Sequence, residues 1–166
     1  RLRQATACPS MLTTDKIESS KIDRACELAS EMVQNGEKVI IFSIFKETLN
    51  VIYEKLKYLN PLLCTGDIPD DVVSENIDKF QNDTTYKVIL CTTSKMGVVI
   101  TLTAASDAIF IDSTWTQAGN QQCEDRLHRI GSSKPVFIYY LWAANTIDEH
   151  VKEIVEDKSL IGDYID

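Results

Sequence analysis

The sequence has no apolar run of the length that a membrane-spanning helix requires, and no signal-peptide pattern. These absences predict an intracellular protein without a membrane partner. The five cysteines form no C-x-x-C pair and show no metal-ligand spacing with the two histidines. We therefore expect no metal site, and we expect buried thiols of a reducing compartment at Cys8, Cys26, Cys64, Cys91 and Cys123.

A dense basic stripe is also missing. The chain carries 17 Lys and Arg residues against 25 Asp and Glu residues, which is a net charge of −8. Most of the excess acid lies in residues 66–83 and 148–166, each with a net charge of −5, so that the remaining residues sum to +2. Because non-specific affinity for nucleic acid depends on how many phosphates are neutralised, the isolated chain should bind DNA only weakly.

Five short apolar segments alternate with amphipathic helical patterns. At 166 residues, the chain is long enough for one domain with a full core. Uninterrupted apolar strands are typical of a parallel sheet that helices cover on both faces. The sequence thus predicts a three-layer α/β fold with a mainly parallel sheet flanked by helices. The predicted strands are Val39–Phe42, Leu62–Cys64, Val88–Cys91, Ala108–Ile111 and Val136–Leu141.

The segment from Ala118 to Ile130 has helical spacing of apolar residues on one face and of polar residues on another. The polar face carries Gln122, Arg126 and Arg129. Two guanidiniums suit the equatorial oxygens of a transferring phosphoryl group, because arginine stays charged and offers a planar fork of donors. The alternative is a solvated face on which Asp125 pairs with Arg129 at i, i+4.

Three stretches resemble motifs of the Swi/Snf-type ATPases, superfamily-two motors that translocate along duplex DNA. Residues 121–132, Gln-Gln-Cys-Glu-Asp-Arg-Leu-His-Arg-Ile-Gly-Ser, are similar to the last helicase motif of that family. Residues 93–105 resemble the preceding motif, and Asp-Ser-Thr-Trp follows at 112–115. By this resemblance, residues 20–166 are the helicase C-terminal domain, which is the second RecA-like lobe, and residues 1–19 are an N-terminal connector.

The resemblance implies an enzyme, an ATP-hydrolysing motor, of which this lobe is one part. Neither G-x-x-x-x-G-K-[ST] nor an acidic strand-end motif for magnesium occurs in the sequence. ATP with Mg²⁺ would therefore be bound mainly by an N-terminal RecA-like lobe of the same protein, and the isolated domain should be inactive. Gln122, Arg126 and Arg129 would be catalytic. Gly97 and Asp125 would join the two arginines at the nucleotide. The first residue is not Met, and we expect the chain to be a piece of a longer protein.

The resemblance also implies a face that binds duplex DNA. Ser43, Thr93, Ser94 and Trp115 stand at positions that would contact it. For two of them a structural role is the alternative: Ser43 would cap the next helix, and Trp115 would pack as a lid on the core.

A different class of function is a degenerate lobe that serves as a non-catalytic binding or scaffold module. Val73 stands where relatives often carry a basic residue, and Met96 and Val99 stand where glycines are common. A free-standing phosphate-binding enzyme is disfavoured, because the sequence holds no complete nucleophile or metal set. An active motor should be cytoplasmic if bacterial or viral, and nuclear if eukaryotic.

Overall fold

A computed structural model describes residues 2–9, 19–97, 102–112 and 136–153. Residues 147–153 are helical, and within the described ranges no helix is both long and apolar enough to cross a bilayer. The remaining helices are α1 (Leu2–Ala7), α2 (Ser20–Gln34), α3 (Lys46–Lys55) and α4 (Asp70–Asn82), with 3-10 turns at Lys57–Leu59 and Thr93–Gly97. The strands are β1 (Val39–Ser43), β2 (Leu62–Cys64), β3 (Val88–Thr92), β4 (Asp107–Phe110) and β5 (Phe137–Tyr140).

The five strands pair in parallel throughout, in the order β2-β3-β1-β4-β5. In the central strand, Val39 pairs with Val88 on one side and with Asp107 on the other, and Ser43 pairs with Thr92. All five carboxyl ends consequently lie along one edge of the sheet. The predicted parallel α/β sheet is confirmed, and each predicted strand lies within one or two residues of the observed one.

Helices cover both faces of the sheet, because successive side chains of a strand point to opposite sides. Val39 and Ile41 pack beneath α2 and α3, together with Ile22 and Ile52. On the opposite face, Ile40 and Phe42 pack with α4. The predicted stripe of α4 is observed: Val73 and Phe80 are fully buried, and Ile77 is half-buried. These layers confirm the three-layer prediction.

Helix α2 begins one residue earlier than its sequence pattern suggests. The pattern indicates a capping box starting at Ser20, whereas the N-cap is Ser19, whose hydroxyl accepts a hydrogen bond from the Ile22 amide at 3.4 Å. The same hydroxyl donates to the Ala7 carbonyl at 3.0 Å. The helix ends before Asn35 and Gly36, as predicted, and Gly36 has φ = +88°, a conformation that suits glycine.

The predicted connector contains α1, which the sequence pattern did not reveal. Ala7 and Cys8 are buried, and Cys8 belongs to the core beneath α2 and α3. The Thr6 hydroxyl donates to Asp148 at 2.9 Å, and Lys21 forms a buried ion pair with Asp148 at 2.6 Å. Part of residues 1–19 therefore packs on the domain, while the boundary at residue 19 stays a prediction.

Candidate functional site

The carboxyl ends of the strands form the edge at which ligands usually bind in open α/β sheets. We call this edge the carboxyl rim. The 3-10 turn that holds Thr93 and Ser94 begins there, directly after β3. Four buried polar residues end or follow strands at the rim: Ser43, Thr65, Thr92 and Asp112.

Ser43 and Asp112 are joined by a short network between β1 and the end of β4. The Asp112 carboxylate accepts from the Ser43 hydroxyl and from the Ile44 amide, both at 2.6 Å. The Ser43 oxygen in turn accepts from the Phe45 amide at 3.1 Å, immediately before α3. Ser43 thus lies at the predicted edge with its hydroxyl directed inward to Asp112. It does not cap the next helix, because the N-cap of α3 is Phe45 and no side chain makes a capping hydrogen bond there. Its contact with DNA stays a prediction.

The turn after β3 offers a more accessible hydroxyl. Ser94 is exposed, and its hydroxyl donates to the Thr92 oxygen at 3.3 Å, whereas Thr93 is half-buried. Gly97 ends this turn. The structure therefore brings Thr93 and Ser94 to the same rim as Ser43, in the turn that follows the neighbouring strand β3.

Two lysines belong to the rim, and sequence reasoning did not assign a role to either. Lys46 lies three residues after Ser43, and Lys95 lies three residues after Thr92, while Ser43 and Thr92 are register partners. The sequence signal for these two lysines is that each follows the end of its strand by three residues. This signal can be recognised only when β1 and β3 are known to be neighbours.

Both rim lysines are paired with acids, one in the loop before α4 and one at the first residue of α4. Lys95 contacts Asp70 at 2.5 Å, and Lys46 contacts Asp67 at 3.7 Å. A hydrogen bond from the Thr65 hydroxyl is the main cause that lowers the pKa of Asp67, with Lys46 contributing. Ion pairs with exposed partners contribute about 0–1 kcal/mol, so a phosphate could replace these acids at little cost.

The remaining predicted site residues lie outside the described residues: Gln122, Asp125, Arg126, Arg129 and Trp115. The described residues stop at Asp112, at the carboxyl rim, and resume at Val136. The next residue, Phe137, pairs with Asp107, the first residue of β4, at the amino end of the sheet. In the described ranges, no three His, Cys, Asp or Glu side chains gather in a way that could hold a metal ion. The absence of a metal site in the whole chain stays a prediction.

Comparison with known families decides between the folds that share this topology. The helicase conserved C-terminal domain family matches residues 20–131, more than half of the chain. This chain belongs to that family. As a helicase C-terminal lobe, it is 33% identical over 144 residues to the ATP-dependent helicase fft1 of Schizosaccharomyces pombe. That alignment covers 86% of the lobe and 15% of the relative, so the lobe spans a small part of the curated relatives that it matches.

Solved structures of the Swi/Snf type resemble the lobe. The Sulfolobus solfataricus SWI2/SNF2 ATPase core in complex with double-stranded DNA matches 99% of the lobe at 28% identity, with a TM-score of 0.79, and the match covers 36% of that core. The C-terminal part of the Fun30 ATPase domain matches 87% of the lobe at 30% identity, with a TM-score of 0.76, and 48% of that chain is covered. These likenesses confirm both the RecA-like fold and the Swi/Snf resemblance.

Proposed function

We propose that this lobe is the C-terminal motor lobe of a Swi/Snf-like DNA-dependent ATPase and translocase. The observation that carries the proposal is the match of nearly the whole lobe to about a third of an ATPase core crystallised with duplex DNA. Its partners would be an N-terminal RecA-like lobe of the same protein and duplex DNA. As a DNA motor it would work inside the cell, in the nucleus if its gene is eukaryotic.

The lobe would complete an ATP site with Arg126 and Arg129, with Gln122 helping to orient the phosphates. Two points support this role. The sequence has no phosphate loop and no magnesium-binding strand end, so a site on this chain alone would lack its cradle. The chain also enters the segment that carries these residues from Asp112, at the rim where α/β proteins bind ligands. ATP would supply the free energy for movement, and the arginines would stabilise charge as the phosphoryl bond breaks.

The DNA-binding face would lie along the same rim. Ser94 supplies an accessible hydroxyl, and Thr93, Ser43 and Trp115 are the further predicted contacts. We add Lys46 and Lys95, because their exposed acidic partners can be exchanged for DNA phosphates. With only these cations at the described rim, the lobe by itself would hold duplex DNA weakly.

Replacing Arg129 with Ala in the full-length protein tests the proposal. An arginine that stabilises the transition state of phosphoryl transfer typically contributes about 10³–10⁵ in rate, so DNA-stimulated ATP hydrolysis should fall by about a thousandfold or more. Arg24→Ala is the matched control, because Arg24 is exposed on α2 and pairs only with Glu27 among the described residues. Its turnover should equal the wild-type value.

Unchanged turnover in the Arg129→Ala protein would reject the catalytic role. The competing function is a non-catalytic scaffold, and two observations favour it. Both rim lysines are already paired with acids, and Val73 is fully buried in the core. A wild-type protein that binds duplex DNA but hydrolyses no ATP with or without it would support the scaffold.

A further inference from the structure

A pocket of about 330 Å³ opens at the amino end of the sheet, opposite the carboxyl rim. Asp107 and Phe137, the first residues of β4 and β5, line it together with Met32 from the last turns of α2. Its volume is at the lower end of the range of about 300–1,000 Å³ for small-ligand pockets, which suits a single long side chain better than a cofactor. The predicted contacts that the structure describes, Ser43, Thr93, Ser94 and Gly97, do not line this pocket.

The carboxylate of Asp107 has no partner among the residues that the structure describes. The residue is only 6% exposed, and its side chain accepts no hydrogen bond and forms no ion pair within the described ranges. Burial is the main cause that raises the pKa of Asp107, and the nearby charge of Glu37 adds to it. Since a buried carboxylate without partners is costly, a bound cation would stabilise this end of the sheet.

Among the described residues, the surroundings of Asp107 are acidic and leave its charge uncompensated. Glu37 also lines the pocket and accepts a hydrogen bond from the Ser106 hydroxyl. Lys38, which follows Glu37 in sequence, donates instead to the carbonyls of Phe80 and Asp83 at the end of α4. The described lining therefore carries two carboxylates and no basic side chain.

Two exposed aromatic side chains complete the pocket. Phe137 is 59% exposed and Tyr139 is 37% exposed, and both lie on the face of β5 that points towards the α2 side of the sheet. Exposed aromatic rings beside carboxylates favour a planar, weakly hydrated cation. A guanidinium can stack on a ring and donate two parallel hydrogen bonds to a carboxylate at the same time.

We propose that this pocket docks an arginine side chain of a partner polypeptide, with an apolar neighbour of that arginine packing on Phe137. The guanidinium would pair with Asp107 and Glu37 and stack against Tyr139. The site lies at the opposite end of the strands from Ser43, Thr93 and Ser94, the proposed DNA contacts that the structure describes.

A peptide titration followed by amide chemical shifts of the 166-residue chain tests the proposal. The probe is acetyl-Leu-Arg-Leu amide, and its matched control replaces arginine with the uncharged isostere citrulline. We expect saturable chemical-shift changes at the amides of Ser106, Asp107, Phe137 and Tyr139. The binding affinity should fall as salt is added. The citrulline peptide should bind about tenfold more weakly or worse, since charge-assisted hydrogen bonds are roughly twice as strong as neutral ones.

Two pocket variants and one control sharpen the test. Asp107→Asn should lower the affinity for the arginine peptide by about tenfold, and Phe137→Ser should lower it by about threefold to fivefold. Phe137 is largely exposed, so its replacement leaves the fold intact even if the Asp107 variant does not fold. Asp71→Asn removes one exposed charge from α4 and should change affinity less than twofold.

Three outcomes would overturn the proposal. They are equal binding of the citrulline peptide, wild-type affinity in both pocket variants, and shifts that map away from the amino end of β4 and β5.

Discussion

Two aspartates at opposite ends of one strand have the same exposure and different surroundings. Asp107 begins β4 and Asp112 follows its end, and each is 6% exposed. Asp112 accepts two hydrogen bonds of 2.6 Å, whereas Asp107 has no side-chain partner among the described residues. Equal burial therefore does not imply equal roles: Asp112 joins two strand ends, while Asp107 leaves a charge available to a ligand.

A third buried carboxylate extends the comparison. Asp148 is 5% exposed, forms the ion pair with Lys21, and accepts hydrogen bonds from Thr6 and from the Ala143 amide at 3.1 Å. The carboxylates of Asp148, Asp112 and Asp107 form a series with at least three, at least two and no partners among the described residues. If partners decide the role, the cost of disturbing each site should follow the same order.

The largest effect is expected for Lys21→Met. Removing one partner of a buried ion pair leaves an uncompensated charge and typically costs about 3–5 kcal/mol, so the free energy of unfolding should fall by about that amount in urea at pH 7. Lys57→Met is the control, because its pair with Glu54 is highly exposed and should contribute less than about 1 kcal/mol. Equal losses in the two variants would show that burial adds nothing to the Lys21 pair.

A smaller loss is expected for Asp112→Ala. The Ser43 hydroxyl and the Ile44 amide would each lose their acceptor, and hydrogen bonds to a charged group contribute about 1.5–3 kcal/mol. We expect a loss of about 2–3 kcal/mol in urea unfolding, and about half of that for Asp112→Asn, which keeps one acceptor oxygen. A loss below about 0.5 kcal/mol would contradict the role of Asp112 in joining the ends of β1 and β4.

The smallest effect, with the opposite sign, is expected for Asp107→Asn. Removing an unpaired buried charge should raise the free energy of unfolding at pH 7 by about 1 kcal/mol or less. Because the pKa of Asp107 is raised above its usual 3.8, the folded state binds the extra proton and wild-type stability falls as pH rises through that window. The gain should therefore be near zero at pH 3 and complete once the pH exceeds the raised pKa.

Glu37 is the acid that faces Asp107, and Lys38 points towards α4, so no described cation should mask this trend. Asp67→Asn provides the control of opposite sign. The pKa of Asp67 is lowered, so its charged form stabilises the fold, and its replacement should cost stability at neutral pH but not at low pH. A gain for Asp107→Asn that is constant with pH would contradict our assignment of an unpaired carboxylate.

The strands could be predicted from sequence, because apolar runs such as Val88–Cys91 are long enough to identify buried parallel strands. Their order could not be predicted, since periodicity does not say that β3 lies beside β1. The burial of Lys21 was equally hidden: lysine usually indicates a surface, and its partner Asp148 is 127 residues away. Helix α1 has only six residues, too few for a clear periodic pattern.

For the candidate site, the sequence could predict which residue types take part, but not how their side chains are oriented. Motif resemblance predicted DNA contacts at Thr93 and Ser94, and the structure places both in the turn after β3 at the rim. Their contact with DNA stays a prediction. The inward direction of the Ser43 hydroxyl depends on Asp112, 69 residues away, and cannot be read from local sequence. The pocket at Asp107 was also missed. An acidic residue before an apolar strand looks like an ordinary turn residue in the sequence.

The contacts of Asp148 also determine how mechanical load would pass through the lobe. Thr6 and Lys21 bring α1 and α2 to the same carboxylate, on the helix at residues 147–153. A pull that separates the first described helix from the last would act directly on these bonds. In the motor proposed above, a load applied between these two helices would therefore act on the contacts of one side chain.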